Sequence, residues 1–131
     1  MEAALSRLDP WSFVQLPGRQ WKVDVVITGT TGAFVVAFSS DLEASLSARR
    51  RKARPLREAV KRARYAFSEA GVHLDVHAVL SADAPFAPRQ VKDIHVVPTS
   101  LLAAFIADRK RQLLPHQVER AAAVLRRALH S

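Results

Sequence analysis

Trp21-Lys-Val-Asp24-Val-Val-Ile-Thr28-Gly29-Thr-Thr-Gly32-Ala-Phe-Val-Val-Ala37-Phe-Ser39 is the stretch on which the fold turns. Two β-branched and aromatic runs, Trp21–Thr28 and Gly32–Ser39, flank Gly29-Thr30-Thr31-Gly32. That is the composition and spacing of a β-hairpin. Val25, Val26 and Ile27 are consecutive, as are Phe34, Val35 and Val36, so neither run has a polar face. Strands of that kind are central and covered on both sides.

Working outward, residues 1–9 suit a short helix with Ala4, Leu5 and Leu8 on one side, stopped by Asp9-Pro10. Trp11–Leu16 is a short strand candidate ended by Pro17-Gly18. Residues 40–54 are polar and increasingly basic, without clear periodicity, and read as a loop or a poorly ordered helix. Pro55 fits the first position of a helix running to about Ala70 and closed by Gly71. Leu56, Val60, Ala63, Phe67 and Ala70 form its inward stripe.

Val72–Leu80 alternates as a strand, with Val72, Leu74, Val76, Ala78 and Leu80 on one face. Ser81–Lys92, with Pro85 and Pro88, reads as a loop, and Asp93–Val97 as a short strand. Two helices finish the chain. One buries Leu101, Leu102, Phe105 and Ile106. The other starts at Pro115 and buries Val118, Ala121, Ala122, Leu125 and Leu129. The expected fold class is α/β, a layered sheet with helices against both faces and two helices at the C-terminus.

The 131 residues are 49% apolar, which fits one folded domain over 1–131. There is no cysteine, which excludes disulfides and thiolate metal sites. The longest apolar runs, Ala33–Phe38 and Leu101–Ala107, are too short to span a membrane. No leader pattern opens the sequence, and the expected location is cytoplasmic. Between Arg49 and Arg64 lie nine Lys and Arg residues against the single acid Glu58, a local charge of +8. The remaining residues hold eleven of each sign. The whole excess thus sits in one short piece of chain, a localised anion-binding feature.

The segment Asp24-Val-Val-Ile-Thr-Gly29-Thr-Thr-Gly32-Ala-Phe-Val-Val resembles the core of the nuclease-related domain (NERD) family. In that family an Asp opens a strand, a Gly-x-x-Gly turn follows, and Gly-Val-Phe-Val-Ile leads into Glu-x-Lys. Pro55-Leu56-Arg57-Glu58 is similar to the family's Asn-Pro-Leu-x-Gln helix start, and the later elements occur in the expected order. The resemblance implies a restriction-endonuclease-like fold, a central mixed sheet flanked by helices.

In such nucleases the Asp and Glu hold a divalent metal, and the Lys assists the chemistry. Here only Asp24 is present. The Glu position is Ala37 and the Lys position is Ser39. A methyl group does not coordinate a hard cation, and a serine supplies no positive charge. The expectation is a pseudoenzyme: a vestigial Asp24, no catalytic residues, no metal and no cofactor. A relocated ligand set would have to draw on Asp41 and Glu43, just past the strand, or on Glu58 from the helix.

Other constellations are weaker. His73, Asp75 and His77 share a strand face, but the two imidazoles stand about 13 Å apart along an extended chain. A metal site would need His95 from a neighbouring strand to join His73 and Asp75. Gly29-Thr-Thr-Gly32 leads into a strand, so it lacks the helix dipole of a phosphate loop. No elbow motif selects a nucleophile.

The basic segment points to polyanions, first nucleic-acid phosphates and second an anionic membrane. Cations at the start of a helix oppose its dipole, so stability alone would not place them there. The expected contacts are Arg50, Arg51, Arg54, Arg57, Lys61 and Arg64, binding without base specificity. The competing expectations are a protein-interaction or homo-oligomeric assembly module using the sheet edge or the Leu101–Ile106 helix, and a metal-dependent nuclease with relocated ligands.

Overall fold

The hairpin closed by Gly29 and Gly32 lies within a six-stranded mixed sheet that packs with four α-helices among the described residues. A computed structural model describes residues 2–39 and 45–130, with the side chains of 3–39 and 50–130. In chain order the elements are α1 (Glu2–Ser6), β1 (Phe13–Gln15), a 3-10 turn (Arg19–Trp21), β2 (Val25–Gly29), β3 (Gly32–Ser39) and α2 (Ser45–Glu69). There follow β4 (Val76–Ala82), β5 (Arg89–Val91), β6 (Ile94–Pro98), a second 3-10 turn (Thr99–Leu101), α3 (Leu102–Ala107) and α4 (Pro115–Leu129). The strand order is β1-β2-β3-β4-β6-β5. The β1–β2, β2–β3 and β5–β6 pairs are antiparallel, and β3–β4 and β4–β6 are parallel.

The hairpin closes with Gly29 opposite Gly32. Gly32 takes a φ of +140°, and a Cβ there would lie 3.1 Å from the Asp75 carbonyl oxygen, so both conformation and space call for glycine. The turn is sewn to the elements beside it. Thr31 Oγ1 donates to the Ile106 carbonyl (2.7 Å), and the Thr30 carbonyl accepts from the N–H groups of Gln112 and Leu113. Every residue of β2 is buried, as are the first six of β3. Alternation sends Val26, Val35 and Ala37 into a core under α2 and α4. It sends Val25, Ile27, Phe34 and Val36 into a second core with Leu102 and Ile106 of α3, against which Leu5 and Leu8 pack. Apolar burial on both faces is the main favourable term for such a sheet.

Several boundaries differ from the sequence expectation. Trp21 belongs to a 3-10 turn, and β2 begins only at Val25. Val72–Asp75 precede β4, which runs on to Ala82, although Val72 and Leu74 still pack on the expected core. The expected loop over 81–92 contains β5, paired with β6 around the Lys92-Asp93 turn. Leu101 is 42% exposed because it ends the 3-10 turn, whereas Leu102 and Ile106 are buried.

The largest correction concerns α2. It starts at Ser45, so residues 45–54 of the expected loop are helical, and Pro55 sits inside the helix. Residues 40–44 of that expectation lie outside the described residues. A proline inside a helix leaves the carbonyl four residues back, at Arg51, without its usual donor. The stretch before Pro55 is held to the body by Ala53, which packs on the core, and by Lys52 Nζ, which donates to the Phe38 carbonyl. Because the helix begins ten residues before Pro55, Arg54 and Arg57 stand mid-helix, where the dipole argument against cations does not apply.

The end of α2 matches the reading. Gly71 has φ +69°, its N–H donates to the Ser68 carbonyl (3.2 Å), and the Val72 N–H donates to that of Phe67 (2.9 Å). This is a Schellman closure with its hydrophobic contact supplied by Val72 and Phe67 in one core. Pro115 opens α4 as expected, and the Gln117 side chain accepts from the Leu114 N–H (2.8 Å).

Candidate nucleic-acid interface

Leu56, Ala59, Val60, Ala63 and Phe67 fix one side of α2 against the sheet. The remaining circumference faces outward. At about 100° per residue, Arg50, Arg54, Arg57, Lys61 and Arg64 fall within an arc of roughly 80°, and the stripe they make is about 21 Å long. All five are exposed. Arg51, also exposed, lies roughly 60° beyond Arg54, outside that arc. Five of the six expected contact residues are thus brought together on one flank of a helix, and the sixth is turned away.

The stripe is not uniformly free. Arg57 Nε donates to both carboxylate oxygens of Asp93 (2.9 and 3.0 Å), the one ion pair among the described residues. Burial pushes the Asp93 carboxyl up, but the hydrogen bond and charge of Arg57 outweigh it, leaving the group below its ordinary value. Arg64 Nη2 donates to the Val76 carbonyl (3.3 Å). Arg50, Arg54 and Lys61 have no ion-pair partner among the described residues. Beside the stripe runs a groove of about 360 Å³ between α2 and the β5–β6 edge. Leu56, Leu80 and Ile94 lie under it, and Arg50, Arg57 and Lys92 supply its charge.

On the other flank of α2 a wider groove, about 1220 Å³, separates it from α4. The Arg62 guanidinium lies 5.6 Å from the Trp21 ring there, and Arg120 and Arg127 face it from α4. Arg120, Arg127 and Tyr65 are absent from the sequence expectation. The seven-residue spacing of Arg120 and Arg127, which puts both on one helix face, is the signal that would have found them.

At the far end of β3 the structure gathers the positions to which the sequence resemblance assigns the metal ligands. The Asp24 N–H donates to the Val36 carbonyl (3.0 Å), extending the hairpin ladder by one residue. Val26 and Ala37 face the α2 core, so alternation puts Asp24 and Ser39 on that face too. Asp24 Oδ2 accepts the Phe38 N–H (2.7 Å), and Lys52 holds the carbonyl of the same residue. Asp24 and Lys52 therefore fasten the two ends of Phe38, a structural use of both. Ala37 is only 2% exposed, packed in the core. Glu58 is exposed on the outward side of α2, while Asp41 and Glu43 lie outside the described residues.

The histidines form a different group from the one the spacing suggested. His77 stacks on Phe34 (5.2 Å) and meets His95 edge-on (5.7 Å), and His95 in turn lies 5.1 Å from Phe105. Arg109 sits over the Phe105 ring (5.4 Å). Burial first, then the charges of Arg109 and His95, lower His77 to about 4. Burial and Arg109 also lower His95. His73 is exposed and apart. Asp75 is engaged by Gln112, whose Nε2 donates to its carboxylate (2.6 Å). Among the described residues no three His, Asp or Glu side chains are placed to hold a metal ion. No helix among them is long and apolar enough to cross a membrane.

No family model, curated protein or solved structure matches this chain.

Proposed function

We propose that this domain binds nucleic acid through its phosphates, without base specificity, using the outward flank of α2 on a nuclease-like scaffold that lacks a hydrolytic centre. The observation that carries the reading is the alignment of Arg50, Arg54, Arg57, Lys61 and Arg64 along one flank of α2. A stripe of about 21 Å spans the rise of roughly six base pairs at 3.4 Å each. Side chains of this kind displace condensed counterions, which makes binding favourable and dependent on salt. Few polar groups able to read base edges accompany them, in keeping with a contact to the backbone alone.

The scaffold supports the NERD-like part of the reading. A mixed sheet with helices on both faces is the arrangement that the resemblance implies, and the sheet here is mixed. The loss of chemistry follows from Ala37, which is buried and apolar where a metal-binding Glu would stand. The test is a fluorescence-anisotropy titration with a short DNA duplex. Reversing Arg50, Arg54 and Lys61 to Glu abolishes binding if α2 is the site. Unchanged binding dismisses the helix.

A second reading has its own observation. Val14 of the edge strand β1 and its neighbours Trp11 and Leu16 are 41%, 55% and 67% exposed. An uncovered apolar edge is a template for pairing with a second copy. This predicts a sedimentation mass above 14.5 kDa in the absence of nucleic acid.

A further inference from the structure

We infer that the groove between α2 and α4 takes single-stranded nucleic acid, with one base stacked on Tyr65 and the adjoining phosphates held by arginines of both helices. This rests on the reading of α2 as a nucleic-acid helix and names the form of the ligand. Tyr65 is 69% exposed, the most exposed large apolar side chain of the described residues. It stands in the outer turn of α2, and no other aromatic ring stacks on it.

Its surroundings are cationic. Lys61 and Arg62 precede it by four and three residues, on the same side of the helix. Arg120 and Arg127 close the groove from α4. Glu69 is the acid that lines it. Four cations against one carboxylate select an anionic occupant. Neither flank of the groove is a flat surface: α2 and α4 rise on either side of a floor that includes Trp21, 3% exposed beneath the Arg62 guanidinium.

A duplex offers phosphates on its outside and keeps its bases stacked inward, so it has nothing to lay on an aromatic ring in a furrow. A single strand offers both, a backbone for the cations and free base faces for the ring. Base-on-aromatic stacking is tolerant of sequence because every base has a π-face. The tyrosine thus adds strand-form preference without base specificity, in keeping with the phosphate-directed contact proposed for the other flank. An acidic peptide satisfies the charges but leaves the ring unused.

The test compares a fluorescein-labelled twelve-nucleotide oligothymidine with a twelve-base-pair duplex by anisotropy at one low salt concentration. The proteins are the wild type, Tyr65→Ala and Tyr65→Phe, each checked for its native circular dichroism spectrum. The expected result is a loss of at least about fivefold in affinity for the single strand with Tyr65→Ala. Duplex affinity stays within about twofold, and Tyr65→Phe, which keeps the ring, matches the wild type. Equal losses on both ligands, or none on either, overturn the inference. So does displacement of oligothymidine by poly-glutamate that is equally effective with wild type and Tyr65→Ala. If the wild type binds duplex with the expected salt dependence while Tyr65→Ala changes nothing, only this inference falls. If it binds neither ligand, the reading of α2 falls with it.

Discussion

Acidification below about pH 6.5 should destabilise this fold through His77. The imidazole is wedged between Phe34 and His95, with Arg109 and Arg64 adding positive potential and Asp75 opposing it. Its titration at about 4 in the folded chain compares with 6.5 when unperturbed. The folded state therefore binds the proton less well than the unfolded state does. Stability is complete above about pH 6.5, falls as the pH drops through the window between the two values, and levels off below about 4. A displacement of that size corresponds to a ceiling of about 3 kcal/mol. The ring is partly open to solvent, which screens it, so about 1–2 kcal/mol is the expected share. The assay is urea unfolding of the wild type and His77→Phe at pH 7.0 and pH 4.5. Phenylalanine keeps the stacking on Phe34 and removes the proton site. The wild type should lose about 1–2 kcal/mol more than the variant over that interval. Parallel losses in the two proteins would refute the reasoning.

Three further outcomes are expected. Pro55→Ala should raise stability by about 1–3 kcal/mol and increase far-ultraviolet helicity, because it restores a donor for the Arg51 carbonyl inside α2; no gain would mean that the helix starts at Pro55. Asp24→Ala should cost about 1–2 kcal/mol, since the Phe38 N–H loses its carboxylate acceptor, while Asp24→Asn keeps most of it. Neither variant should alter DNA affinity, and a magnesium-dependent cleavage abolished by Asp24→Ala would show that the carboxylate does chemistry. Gly71→Ala should destabilise by about 1 kcal/mol in thermal unfolding, from the left-handed backbone alone, since a Cβ there meets nothing within 4 Å.

The parts of the fold that were legible are those in which local signals agree with tertiary packing. The hairpin was visible because the glycines bracket two uninterrupted apolar runs, and both runs are indeed buried on each face. Gly71 and Pro115 were readable as helix punctuation because their backbone chemistry admits few alternatives. Pro55 misled for the same reason: a proline at a first helical turn and one inside a helix look alike when the preceding ten residues offer little apolar periodicity. What holds that stretch is Ala53 and a lysine hydrogen bond to the Phe38 carbonyl, neither of which leaves a periodic trace.

At the candidate site, the charge run was plain but its geometry was not. Helical extension through Pro55 is what aligns Arg50 and Arg54 with Arg57, Lys61 and Arg64, and turns Arg51 aside. The pairing of Arg57 with Asp93 depends on the β5–β6 turn, inside a segment read as loop. The α2–α4 groove depends on two helices distant in sequence, so Tyr65, Arg120 and Arg127 could be joined only by the fold. The histidine spacing likewise carries no trace of the true pairing, because the strand starts at Val76, beyond His73, and the partner of His77 comes from β6.

The most direct measurement is the affinity of the wild-type protein for a short DNA duplex at 50 and 200 mM salt. With roughly four phosphates engaged, the logarithm of the binding constant should fall with a slope near −3.6 against the logarithm of salt, a loss of about 150-fold over that range. Reversing Lys61 alone should lower the slope by about 0.9. An affinity indifferent to salt, or a slope that Arg50, Arg54 and Lys61 do not control, would contradict a helix that works by gathering phosphates.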